Sequence, residues 1–366
     1  MMRANIPVYE PFIDSNEQKN VLKCLEENWI SSNGEFIQKF EESFCDYTGA
    51  NYASTVSNGT VALHLALLAL GIGPGDEVIV PALTYIASVN SISYVGAKPI
   101  FVDSDIDTWN MDFNKITDLI TPKTKAIMAV HLYGNPCNMD SLVKICKNNN
   151  LLLIEDAAEA FGSYYKGQHV GTIGDIGTFS FFGNKTLTTG EGGMIVSREK
   201  HLIESINLLK NQGVSKQGEY FHSVIGYNYR MTNICASIGV AQIKKAEKIL
   251  AKKKQLTNNY QERLTGYDIK FQIDENDSIN SYWLVSILMK NEQKKDALRS
   301  FLKEKNIETR PLFPLITSNP MYINKHNYNV ASTLSKRGVS LPSYPGLTDE
   351  ENNYIADCII EFLDNS

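Results

Sequence analysis

From about residue 50 the chain alternates short apolar runs with longer stretches at helical spacing. Glu77–Val80 (EVIV), Lys98–Val102 (KPIFV), Lys125–Val130 (KAIMAV) and Leu151–Ile154 (LLLI) read as short buried strands, each closed by Pro81 or by polar residues. Another apolar run lies near Tyr52–Val56. Between them, Thr60–Leu70 and Met139–Cys146 have the spacing of helices. Strands that are apolar throughout, alternating with helices, predict a mostly parallel sheet covered on both faces. Ligands of such sheets sit outside the carboxyl ends of the strands, so chemistry is expected just after each run.

Past Gly239 the pattern changes. Ala241–Leu264 predicts one long charged amphipathic helix, with Ile243, Ala246, Leu250, Leu256, Tyr260 and Leu264 near one face. Its Lys252-Lys253-Lys254 run reads as a solvated face. After Gly266 come strand-like pieces, notably Tyr282–Leu288 (YWLVSIL), and then a helix over Lys294–Lys305. This divides the chain into a large α/β domain over 1–240 and a smaller α+β domain over 241–366.

Composition narrows the class. Hydrophobic residues make up 43% and charged residues 21%, an ordinary globular balance. A formal charge of -6 gives no reason to expect nucleic acid or an anionic membrane as partner. No apolar run approaches the roughly 20 residues of a membrane span, and Met1 to Glu10 carry no apolar signal core. Cysteines 24, 45, 137, 146, 235 and 358 form no CxxC pair, which fits reduced thiols in a cytoplasmic protein without a zinc site.

Three strand ends hold unusual chemistry. Ser57-Asn58-Gly59-Thr60 opens the helix after Tyr52–Val56, and its free backbone N–H groups would suit a phosphate, though the turn is equally a simple N-cap. Glu155-Asp156 follows Leu151–Ile154; a carboxylate there could face a cationic ring nitrogen or cap the next turn, and no His or Cys at ligand spacing supports a metal. Ser180-Phe181-Phe182-Gly183-Asn184-Lys185-Thr186 sets a lysine among small and aromatic residues, where poor solvation lowers an amine's pKa and favours imine formation. Gly190-Glu191-Gly192-Gly193 follows and permits close backbone approach to a flat ligand. A phosphate cradle, a carboxylate and an amine at one sheet edge are what pyridoxal phosphate requires.

The chain resembles the sugar aminotransferases of the DegT/DnrJ/EryC1/StrS family, of the aspartate-aminotransferase (type I) fold. The likeness rests on Trp29–Ser32 (WISS), Ser57–Thr60 (SNGT), Pro81–Ser88 (PALTYIAS), Glu155–Gly162 (EDAAEAFG), Phe179–Gly193 (FSFFGNKTLTTGEGG) and Gly226–Asn233 (GYNYRMTN). It implies that Lys185 carries the cofactor and shuttles the proton, and that Asp156 pairs with the pyridinium nitrogen. Glu159 would lie near the phenolic oxygen, Tyr85 on the ring face, and Ser57, Gly59, Thr60 and Ser180 at the phosphate. Asn228 would reach the phosphate of the other subunit, making a homodimer with shared sites. Trp29, Arg230 and Arg310 are the implied substrate contacts, the arginines suiting a diphosphate.

The reaction implied is transfer of an amino group from L-glutamate to C4 of a nucleotide-linked 4-keto-6-deoxy sugar, with GDP-4-keto-6-deoxymannose expected and dTDP- or UDP-linked gluco ketones as the alternative. The chain departs from the family in one place. A Tyr-Pro-x-His stretch is usual after Thr309-Arg310-Pro311, whereas this chain reads Leu312-Phe313-Pro314-Leu315. Lysine at 185 argues against the branch that dehydrates sugars with a His there, and against a non-catalytic regulator on the same fold. A nicotinamide-dependent dehydrogenase would need an early GxGxxG turn, which is absent.

Overall fold

The computed structural model describes residues 5–215 and 220–365, so Met1–Ala4 of the N-terminal run lie outside the described residues. The apolar runs form strands β1 (Tyr52–Val56), β2 (Glu77–Pro81), β3 (Lys98–Val102), β4 (Thr124–Val130) and β5 (Leu152–Asp156). Two short strands, β6 (Tyr164–Tyr165) and β7 (Gln168–His169), precede β8 (Ile176–Ser180) and β9 (Gly193–Ser197). The C-terminal part adds β10 (Lys270–Phe271), β11 (Ser278–Ile279), β12 (Ser286–Leu288), β13 (Arg310–Pro311) and β14 (Gly338–Ser340).

The main sheet has the order β1-β9-β8-β5-β4-β2-β3. Its β2, β3, β4, β5 and β8 pair in parallel, and β9 alone runs the other way between β1 and β8. Successive side chains of a strand point to opposite faces. Accordingly Val78, Val80, Ala126, Met128 and Ile154 enter one core, and Ile79, Ile127, Ala129 and Leu153 another. The expected α/β fold with a mostly parallel sheet buried on both faces is what the chain forms.

The helix Gly59–Ala69 is apolar nearly all round because it is enclosed; Leu63, Leu65, Ala66 and Leu67 are all buried. Asn58 caps it, its side-chain oxygen accepting from the Val61 N–H at 3.0 Å. A second sheet, β10-β12-β14-β13, is antiparallel throughout and carries a third core with Leu256, Tyr260, Leu298 and Ile355. The N-terminal segment joins that core. Ile6 pairs with Ile307, its N–H reaching the Asn306 carbonyl at 2.9 Å, and the Tyr9 hydroxyl donates to the Lys185 carbonyl.

Four expectations need correction. The long helix over 241–264 is two helices, Asn233–Lys244 and Ala246–Arg263. The break is at Lys245, whose ammonium is drawn to Glu17 at 2.7 Å and Asp14 at 3.1 Å while its backbone leaves helical geometry. Lys253 is not solvated but fully buried. Of the YWLVSIL run only Ser286–Leu288 joins a ladder, because Tyr282 has φ +49°, a left-handed conformation incompatible with a strand. The last helix expected there begins earlier, at Glu292, capped by Asn291. All six cysteines are free thiols. No described helix is long and apolar enough to cross a membrane.

Candidate active site

The strand ends converge as the fold dictates. A cavity of about 730 Å³ opens at the carboxyl edge of the main sheet and is lined by Gly59, Thr60, Tyr85, Asp156, Glu159, Ser180, Lys185 and Arg310. Helix Gly59–Ala69 begins at its wall, so unpaired backbone N–H groups and the positive end of the helix dipole meet Ser180, the last residue of β8. A Cβ on Gly59 would stand 2.8 Å from the Ser180 Cβ, so only glycine allows this close approach. The result is a cradle for an anion.

β5 runs two residues further than its apolar run, through Glu155 and Asp156. Asp156 faces the cavity. One carboxylate oxygen accepts from the Ser88 hydroxyl at 2.7 Å and the other from the Ala158 N–H at 3.1 Å. Burial raises its pKa against the pull of Ser88 and Ala158. A buried carboxylate in this state gains most from a cationic N–H partner.

Lys185 is nearly buried. Its Nζ lies 3.9 Å from Oε1 of Glu159 and 3.9 Å from the centre of the Trp283 ring. Burial lowers its pKa, opposed by the charges of Glu159 and Asp156. Glu159 accepts the Tyr133 N–H at 2.8 Å, and burial pushes its carboxyl up to about 7 against the Lys185 charge. Tyr133 itself sits at φ +57°, a conformation that aims its amide at Glu159. Its ring lies nearly parallel to those of Trp283, at 6.0 Å and 8°, and Phe313, at 5.4 Å and 16°, and the last two are 6.3 Å apart, so the three rings form a mutual cluster. Tyr85 is half exposed over the cavity, its ring 5.6 Å from Phe313. Arg310 is exposed at the rim.

Four expected site residues are elsewhere in this chain. Ser57 does not line the cavity, and its N–H bonds to the Tyr229 carbonyl at 2.8 Å. Trp29 is exposed, with its carbonyl held by Asn233 at 2.7 Å. Asn228 is exposed, and its side-chain oxygen accepts from Arg230 at 3.0 Å. Neither Asn228 nor Arg230 lines the cavity. Sequence reasoning passed over Ser88, Tyr133, Trp283 and Phe313. Ser88 had a signal, since it lies one helical turn after Tyr85 in a block already marked. Trp283 was hidden inside a run read as strand.

An anion cradle, a buried carboxylate seeking a cation, and a desolvated amine between them fit pyridoxal phosphate. The sequence profile of the DegT/DnrJ/EryC1/StrS aminotransferase family matches residues 11–360. The chain belongs to this family.

Other members are alike over their whole length. The GDP-perosamine synthase of Escherichia coli O157:H7 is 52% identical over 358 residues, 98% of each chain. That of Vibrio cholerae is 45% identical over 363 residues, 98% of this chain and 99% of its own. Among solved structures, the Streptococcus pneumoniae protein Spr1654, described as a sugar aminotransferase and seen in its PLP form, superposes with a TM-score of 0.93 at 29% identity, covering 99% of both chains. Helicobacter pylori PseC, an aminotransferase of pseudoaminic acid biosynthesis, gives 0.94 at 26% identity over 99% of this chain and 100% of its own.

Proposed function

We propose that this chain is a pyridoxal-phosphate-dependent aminotransferase that carries an amino group from L-glutamate to C4 of GDP-4-keto-6-deoxymannose, forming GDP-perosamine. The observation that carries the reading is the 52% identity, spread over 98% of both chains, to a GDP-perosamine synthase. The arrangement of Lys185, Asp156 and the Gly59 cradle around one cavity supports the chemistry.

When bound, pyridoxal phosphate supplies a cationic ring that draws charge from the carbon losing its proton. The residues of this chain then have distinct tasks. Gly59, Thr60 and Ser180 would hold the phosphate ester at the helix N-terminus. Asp156 would keep the ring nitrogen protonated, its Ser88 and Ala158 bonds aiming it inward. Nζ of Lys185 would hold the aldehyde and, released by the amino donor, take the α-proton and return it; burial, by lowering its pKa, makes the free amine easier to reach. Glu159 would stand by the phenolic oxygen and Tyr85 over the ring face. Arg310, at the rim, suits the diphosphate of the sugar nucleotide.

Asn228, Arg230 and Trp29 are outside their own chain's cavity, and Tyr220 and Ile225 nearby are almost fully exposed. This supports a homodimer in which that surface completes the partner's site, with Asn228 at the phosphate. A sugar nucleotide and glutamate as substrates support a cytoplasmic location. The test is kcat/KM with L-glutamate for the GDP-linked manno ketone against dTDP- and UDP-linked 4-keto-6-deoxyglucose. A preference for either gluco substrate would overturn the sugar assignment and leave the amino transfer intact.

A further inference from the structure

We propose that Trp283 is a positioning residue for Lys185, anchored from behind by the buried side chain of Lys253. The proposal rests on the reading of Lys185 as the amine that holds the cofactor. It adds a line of residues, from the helix Ala246–Arg263 to the cavity, that this reading does not require.

Trp283 touches Lys185 at both ends. Its indole N–H donates to the carbonyl of Asn184, the residue before Lys185, at 2.6 Å, and its ring face lies 3.9 Å below Nζ. One rigid side chain therefore fixes the peptide unit that carries the lysine and limits where the amine can swing. Stacking with Tyr133 holds the indole plane. The backbone of Trp283 lies outside the ladder of β12, so its carbonyl needs a donor from elsewhere.

Lys253 is that donor. Its Nζ gives hydrogen bonds to the carbonyls of Trp283 at 3.0 Å and Ser343 at 2.9 Å, and among the described residues no carboxylate pairs with it. Burying a lysine without a counter-charge is costly. An apolar residue at this position would instead leave two buried carbonyls without a donor. Burial pulls the Lys253 amine down to about 7, and either protonation state still donates both bonds.

A positively charged amine over an indole face is attracted to it, so the ring favours the protonated form of Lys185. The groups facing that amine are Glu159, Asp156 and the Trp283 ring, with the Tyr9 hydroxyl on the Lys185 carbonyl. The experiment changes only the ring and its anchor. Cofactor-free protein is treated with formaldehyde and cyanoborohydride across pH, and methylation of Lys185 is followed by peptide mass spectrometry.

Trp283→Leu and Lys253→Met are expected to lower the pH midpoint of Lys185 methylation by roughly one unit, and Lys253→Arg to restore it. A folded Trp283→Leu protein with the wild-type midpoint and only a lower Tm would overturn the proposal. If that variant does not fold, Trp283→Phe replaces it. It keeps a ring face but frees the Asn184 carbonyl, so the midpoint should hold while methylation at fixed pH quickens several-fold; an unchanged rate overturns the proposal. Borohydride reduction of the wild-type protein with pyridoxal phosphate tests the underlying reading separately. A pyridoxyl label on another lysine would defeat that reading without touching the midpoint result.

Discussion

Glu155 and Asp156 are neighbours in the chain, yet their carboxylates lie on opposite faces of the main sheet. Asp156 faces the cavity. Glu155, fully buried on the other side, accepts bonds from His131 at 3.1 Å, Gly171 at 2.7 Å, Ile173 at 2.7 Å and Gly174 at 2.6 Å. Burial opposes ionisation there, but His131 and these amides hold its pKa below the usual range. One carboxylate clamps a loop while the other is left to serve a ligand.

The two substitutions should therefore separate. Asp156→Asn is expected to keep the wild-type Tm and slow single-turnover formation of pyridoxamine phosphate from glutamate on the order of a thousandfold, about 4 kcal/mol in the barrier. Glu155→Gln should lose roughly 2–4 kcal/mol of stability, since an amide cannot satisfy four donors, while that single-turnover rate stays near wild type. Denaturant melts and rapid-quench kinetics on both proteins check the pair.

Lys185→Ala should abolish turnover and the visible absorbance that appears when the wild-type protein takes up pyridoxal phosphate. Of the lysines described, it alone lines the cavity at the cradle. Spectra and activity of the variant after cofactor loading decide this, and full activity would remove Lys185 from its assigned place.

Glu159 makes stability depend on pH. Its carboxyl is raised from the ordinary 4.5 to about 7, so the fold favours the protonated form. The associated stability is complete below about pH 4.5 and is lost as pH rises through about 7. Glu159→Gln lacks that titration. Cofactor-free wild type should weaken relative to Glu159→Gln by about 3 kcal/mol between those limits. Paired melts from pH 5 to pH 8 measure it, and parallel curves would show that Glu159 stays ionised.

If Asn228 serves the partner's site, inactive Lys185→Ala mixed with an impaired Asn228→Ala chain should regain activity. In a mixed dimer one site then has both residues intact. Absence of recovery, with subunit exchange verified by differently tagged chains, would place Asn228 in its own subunit or in packing alone.

Much of this was legible in the sequence because strand interiors and strand ends differ so sharply in chemistry. An apolar run such as KAIMAV has few alternatives to a buried strand, and the parallel order then places Gly59, Asp156 and Lys185 at one edge. The limits came where charge and spacing conflict. Ile249, Lys253, Leu256 and Tyr260 recur at helical intervals along a buried stripe, so the spacing marked Lys253 as interior while its charge argued for solvent. Trp283 looked like strand because aromatic and β-branched neighbours surround it, and only the positive φ at Tyr282 breaks the run. Ser57 is next to the cradle in sequence yet does not line the cavity, and a one-residue step past Val56 separates it from Asn58, which does. Asn228, Arg230 and Trp29 carry a different ambiguity, because one chain's surface does not reveal what another chain presses against it.

The contact of Tyr9 with Lys185 has a consequence for how the protein is made. Ile6 is joined to Ile307, so the segment that brings Tyr9 to the catalytic loop has no docking site until some 300 further residues exist. At about 5–20 residues per second, translation takes roughly 15–60 s to cover that distance. Through that interval the main sheet can assemble, but the carbonyl of Lys185 waits for the Tyr9 hydroxyl to be docked. The contact at the Lys185 carbonyl is thus completed late, when two segments some 300 residues apart in the chain meet.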